Sequence, residues 1–302
     1  MARTAIHAGV WSADPAPDNV RRVLELAAEC GFDHLALPLR DPAAMDPGAL
    51  ARAADGSGAG LIGTAGMPPG GDIGSDDPER RERGRQHLER VIATARDIGM
   101  TQINGALYGP LGHAPRPATR DDMARSAETL GEIADLAAEA GILLCAEAVN
   151  RYETSMINTV AQGLAYLELA DRPNLRLHVD TYHMAIEERD APAAARAALP
   201  RLGYFELDQS HRGRLDEGSL DLARIAAPVR DGGYDGLIGV EAFARSRLAP
   251  GHADALAVWR DHFDDGTALA RQARALIREI FETPQDGAAP SRNRETAGGQ
   301  TR

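Results

Sequence analysis

The chain has 302 residues and a formal charge of −12: long enough for one large α/β barrel, and wrongly charged for a nucleic-acid backbone as partner. No stretch approaches the ~20 consecutive apolar residues of a membrane span, and the opening MARTAIHAGVW lacks the apolar core of a secretion signal. The two cysteines, Cys30 and Cys145, each sit in an apolar element, so a reducing, cytoplasmic setting without disulfides is expected.

In chain order, Ile6 to Trp11 reads as a first strand, and Val20, Val23, Leu24 and Ala27 as the stripe of a helix that Gly31 ends. His34 to Leu39 is the second strand, 47 to 55 a short helix, and Leu61 to Ala65 the third strand. Ser75 is the expected cap of the next helix, with Pro78 in its first turn and Gly99 as its stop. Gln102 to Leu107 is the fourth strand. A Gly/Pro-rich loop leads to a long helix ending at Ala140, with Met123, Ala127, Leu130, Ile133 and Leu136 on one face.

The segment Gly141 to Asp190 then supplies strand, loop, helix, strand and loop. An apolar run from Ile142 leads to Glu147, and alternating Leu175, Leu177 and Val179 lead to Asp180. Gly203 to Asp208 is the seventh strand and Leu237 to Phe243 the eighth, and one long helical region spans Ala253 to Phe281. Strands alternating with helices predict a single (β/α)8 TIM barrel over 1–282, followed by a disordered polar tail over 283–302.

In such a barrel the loops after the strands carry function. Strand five ends in Glu147, with Asn150 and Glu153 beyond it, and strand six ends in Asp180, with His183 beyond. Strand seven carries Glu206 and Asp208, then Gln209 and Arg212, and strand eight ends in Glu241 and Phe243. Any one of these acids could be a solvated loop residue or the partner of an arginine. Glu147, Asp180, Glu206 and Glu241 come one from each of four consecutive strand ends, and four carboxylates packed together repel unless a cation joins them. Oxygen ligands favour Mn²⁺ or Mg²⁺, with Co²⁺ as a further candidate. His7, Trp11 and Phe243, at strand ends, are expected to wall a small pocket. Gly213 hints at an unusual backbone beside Arg212.

The stretches EAVNRYET, NTVAQGLAYLELADRPNL, HVDTYHMAIEE, SHRG and GYDGLIGVEAF resemble the ketose 3-epimerases, a family of xylose-isomerase-like TIM barrels. The resemblance implies metal-dependent inversion at carbon 3 of a ketose through an enediolate. It implies Glu147 and Glu241 as both acid/base pair and metal ligands, Asp180 as a ligand, and Glu153, His183 and Arg212 as substrate-binding residues. It also implies a small-molecule partner, a ketose or ketose phosphate, and a homodimer or homotetramer.

The chain departs from the family in strand seven, where Glu206 stands for a His ligand and Gln209 for a Glu, and in strand two, where Ala36 stands for a Glu. These changes are compatible with the chemistry and bear on the substrate. Two other readings compete: the metal-binding subunit of a lyase that cleaves carbon glycosides, and a non-catalytic sugar-binding relative. The paired Glu147 and Glu241 favour the epimerase.

Overall fold

The computed structural model describes residues 2–283. The expected tail falls, apart from Thr283, outside the described residues. In chain order the elements are β1 (Arg3–His7), α1 (Pro17–Glu29), β2 (His34–Pro38), α2 (Pro47–Ala54), β3 (Gly60–Thr64), α3 (Pro78–Ile98), β4 (Gln102–Gly105), α4 (Arg120–Glu139) and β5 (Leu143–Glu147). There follow α5 (Val160–Ala170), β6 (Leu175–Asp180), α6 (Thr181–Glu187), α7 (Ala191–Ala198), β7 (Leu202–Leu207), α8 (Leu222–Asp231), β8 (Leu237–Val240), α9 (Pro250–Ala255) and α10 (Gly266–Ile277). The strands are parallel and close into a barrel in sequence order, β8 pairing with β1. Among the described residues no helix is long and apolar enough to cross a membrane.

Alternation along the strands sorts the side chains. Leu175, Leu177 and Val179 of β6 and Phe205 and Leu207 of β7 join the large core between strands and helices. Inside the barrel, Ala5, Ala36, Ile62, Cys145, Tyr204 and Leu237 form a separate apolar floor. Ala36 is part of this floor and pairs in register with His7. Tyr204 fills much of this floor, and Gly239 gives it room: a Cβ there would lie 2.2 Å from the Tyr204 hydroxyl. The polar residues one layer above the floor occupy the mouth at the carboxyl ends of the strands.

Between β6 and β7 the register shifts at Leu177/His178, so that His178 pairs with Tyr204 and Asp180 with Glu206. Gly203 sits at the shift, where a Cβ would come within 2.6 Å of both Arg176 and Cys145. The shift places two inward residues of β6 beside two of β7.

Four expectations are corrected. β1 begins at Arg3 and ends at His7, because the His7 Nδ1 accepts from the Gly9 N–H and turns 8–10 into a 3-10 helix. The cap of α3 is Asp77, whose side chain accepts from the Glu79 N–H; the Ser75 hydroxyl instead accepts from the Asp77 N–H. Leu136 is 40% exposed, and Ala134 and Ala137 take its place on the buried face of α4. The expected long terminal helix is broken into α9 and α10: Ala257 adopts a positive φ of 53°, and Asp265 recaps the chain through the Thr267 and Ala268 N–H groups.

The start of α4 is a capping box between Thr119 and Asp122, with Arg116 and Arg125 also on the Asp122 carboxylate. Arg116 leads the groups that hold the Asp122 carboxyl well below its ordinary 3.8. A depressed pKa gives stability that is present above 3.8 and lost as pH falls below it. Asp122→Asn is therefore expected to cost about 1–2 kcal/mol at neutral pH. In thermal melts the gap to the parent should close as pH falls below 3.8.

Candidate active site

The mouth gathers the residues of β5 to β8. Glu147 pairs in register with His178, and Glu241 follows β8 directly, its N–H bonded to the Leu207 carbonyl. Donor atoms of Asp180, Asp208 and Glu241 lie within 4.8 Å of one another; so do those of Glu147, Asp180 and His183, and those of Glu147, His178 and Glu206. Asp180 and Asp208 are fully buried. Burial and then neighbouring carboxylates push the Asp180, Glu206 and Asp208 carboxyls far above the ordinary range, despite His183 beside Asp180 and Arg212 beside Asp208. Burial also pushes Glu147 up, but His178, His183 and Arg212 outweigh it and hold that carboxyl down to about 2.

This donor set fits a hard divalent cation. Asp180 Oδ2 and Asp208 Oδ1 are buried with no hydrogen-bond partner. Orphaned buried carboxylate oxygens are costly unless a cation completes them.

Arg212 is the other centre of the site. Its Nε lies 3.0 Å from Asp208 Oδ2, its Nη2 bonds Glu241, and its Nη1 is 3.9 Å from Glu153. The guanidinium is sandwiched between the rings of Tyr182 and Phe243, at 4.6 and 4.7 Å. Phe243 in turn meets His7 edge-on at 5.4 Å. The unusual backbone lies at Arg212 itself, with φ 56°, and not at Gly213. Gly213 is required for close approach, since a Cβ there would lie 2.7 Å from His211.

His183 Nδ1 accepts from the Asn150 N–H at 3.2 Å, which leaves the ring proton on Nε2, 3.4 Å from Glu147. Asn150 Nδ2 also donates to Glu153 at 2.8 Å. Glu153, His183 and Arg212 thus converge on the same opening as Glu147 and Glu241. Trp11 stands apart: its indole donates to Thr267 at the start of α10.

The profile of the family described as xylose isomerase-like TIM barrel matches residues 24–274. An L-ribulose 3-epimerase of Mesorhizobium japonicum is 38% identical over 94% of this chain and 95% of its own. A ketose 3-epimerase of Arthrobacter globiformis is 35% identical over 90% of this chain and 94% of its own. The chain belongs to the ketose 3-epimerase family. Among solved structures, a D-allulose 3-epimerase from Methylomonas sp. in complex with D-allulose superposes with a TM-score of 0.90, at 34% identity over 93% of this chain and 97% of that one.

The structure gives the reason for Gln209 after strand seven. Its Oε1 accepts from the Ser210 and Leu220 N–H groups, and its Nε2 donates to the Leu220 and Leu215 carbonyls. A carboxylate could not supply those two donations. Gln209 is the strut of the 210–220 loop that carries Arg212. Two residues of the mouth escaped the sequence reading. His178, between two leucine-like core positions, lies 3.0 Å from Glu206 and 3.6 Å from Glu147. Tyr182, on α6, stacks on Arg212. The signal for His178 was its spacing of two from Asp180 on one strand, which puts both inside the barrel.

Proposed function

We propose that this enzyme inverts the configuration at carbon 3 of a ketose of the D-allulose, D-fructose or D-tagatose type, free or phosphorylated. The observation that carries the reading is the pair Glu147 and Glu241: two carboxylates from β5 and β8 in one mouth, held in a net that includes Arg212 and His183. Glu147, held down by His178, His183 and Arg212, is ionised and so can accept a proton. One of the pair takes the carbon-3 proton from one face, and the other returns a proton to the opposite face. Negative charge then rests on the substrate as an enediolate, and Arg212 and His183 can donate hydrogen bonds to its oxygens.

A divalent cation, Mn²⁺, Mg²⁺ or Co²⁺, would be held by Glu147, Asp180, Glu241 and an acid of β7, with Glu206 at the family's position. It would supply Lewis-acid stabilisation of the same charge. Glu153 fixes Asn150 and, through it, His183. Phe243 and His7, which meet edge to face, wall the opening. The reading includes a cytoplasmic location, suited to two buried free thiols, and a homodimer or homotetramer.

The test is to strip the protein with a chelator, reload it with Mn²⁺, Mg²⁺ or Co²⁺, and incubate it with D-fructose, D-tagatose, L-ribulose and fructose 6-phosphate. Chromatography is expected to show a carbon-3 epimer of at least one ketose, formed only by reloaded protein. Full turnover by the stripped protein would remove the metal from the account. Reloaded protein that epimerises none of the four would overturn the substrate class.

A further inference from the structure

We propose that Asp208, the residue just past β7, and not Glu206 within it, supplies a ligand to the divalent cation. The inference rests on the metal-dependent reading above and changes one of its assignments.

Three observations carry it. The first is that Glu206 is already engaged. Its Oε1 accepts from the Tyr204 hydroxyl at 3.2 Å, and its Oε2 lies 3.0 Å from His178 Nε2. Tyr204 is rooted in the apolar floor, and its ring meets His178 edge-on at 4.8 Å. Both oxygens of Glu206 are therefore engaged one layer below the rim, Oε1 by the Tyr204 hydroxyl and Oε2 by the His178 ring. Turning them towards a cation would orphan a buried hydroxyl and a buried imidazole.

The second is that Asp208 has the opposite character. One oxygen, Oδ2, takes the Arg212 Nε at 3.0 Å; the other, Oδ1, is buried without a partner. A carboxylate oriented through one oxygen by an outer hydrogen bond, with the other free, is how metal ligands are usually held. Its backbone is fixed as well, since the Thr181 hydroxyl bridges the Asp208 N–H and carbonyl at 2.8 and 2.7 Å.

The third is position. The Asp208 donor lies within 4.8 Å of donors of Asp180 and Glu241, and Asp180 Oδ2 is likewise a buried carboxylate oxygen without a partner. Glu206 falls instead with Glu147 and His178. Strand periodicity allows the exchange: residues 206 and 208 face the same way, and the later one stands nearer the rim. An aspartate two positions on can thus replace the family's strand-seven ligand from the same side of the barrel.

The test is a ligand swap read by spectroscopy. Asp208→Cys and Glu206→Cys are prepared, shown to keep the wild-type circular dichroism, stripped and loaded with Co²⁺. A thiolate bound to cobalt gives a charge-transfer absorption that the wild type, whose cysteines are buried away from the mouth, lacks. The band is expected with Asp208→Cys and not with Glu206→Cys. The reverse pattern, or no band in either variant while the wild type binds Mn²⁺, would overturn the proposal. A second readout covers a cysteine variant that fails to fold. By calorimetry, Asp208→Asn is expected to weaken Mn²⁺ binding more than roughly 100-fold, and Glu206→Gln less than about 10-fold. Equal losses, or the larger loss at Glu206, count against it. Failure of the metal reading itself looks different: the wild-type protein would take up no divalent cation.

Discussion

Glu147→Gln and Glu241→Gln are each expected to lower carbon-3 epimerisation by roughly 10²–10⁴-fold, the range that a positioned proton-transfer group contributes. Glutamine keeps the shape and some hydrogen bonding but cannot hold the proton. The two losses should differ in kind. An acid/base pair working from opposite faces assigns one epimer to each carboxylate, so each variant keeps its residual hydrogen exchange at carbon 3 with only one of the two epimers. Kinetics in both directions, with exchange followed by NMR, check this. A variant within tenfold of the parent would show that its glutamate carries no proton.

Arg212→Ala is expected to have the second largest effect, on both activity and folding. The side chain bonds Asp208 and Glu241, lies near Glu153, and is clamped between Tyr182 and Phe243. Removing one partner of a buried ion pair leaves uncompensated charge and costs about 3–5 kcal/mol. Loss of an oxyanion donor adds roughly 10²–10³-fold in kcat. Arg212→Lys should recover stability only in part, because a lysine cannot fork to two carboxylates while stacking between two rings. Thermal melting and kcat together test this. A variant as stable as the parent would mean that the acids around Arg212 are compensated in another way.

The barrel was legible because its strands are short apolar runs between helical stripes, and because carboxylates recur at the strand ends. Glu147, Asp180 and Glu241 stood out by that position alone, and the structure brings them to one mouth with Glu153, His183 and Arg212. What the sequence hid depends on contacts between elements. Gln209 looked like a lost charge beside the metal, yet its four hydrogen bonds run to the loop it braces. Glu206 looked like a ligand because it is one of four carboxylates at consecutive strand ends. Tyr204 reaches it from two residues back on the same strand, and the contact of Glu206 with His178 follows a register shift that no local pattern announces. The broken terminal helix has the same origin: the apolar spacing runs on past Ala257, but the backbone turns there and restarts at Asp265.

The measurement that reaches the central claim most directly is solvent-deuterium incorporation during epimerisation. Metal-loaded enzyme is incubated with a turned-over ketose in heavy water, and the product is analysed by NMR position by position. Proton transfer between Glu147, carbon 3 and Glu241 predicts an epimer with deuterium at carbon 3 and nowhere else, and loss of that label-bearing product in both glutamine variants. An epimer formed without deuterium at carbon 3, or with the label at carbon 1, would contradict the account.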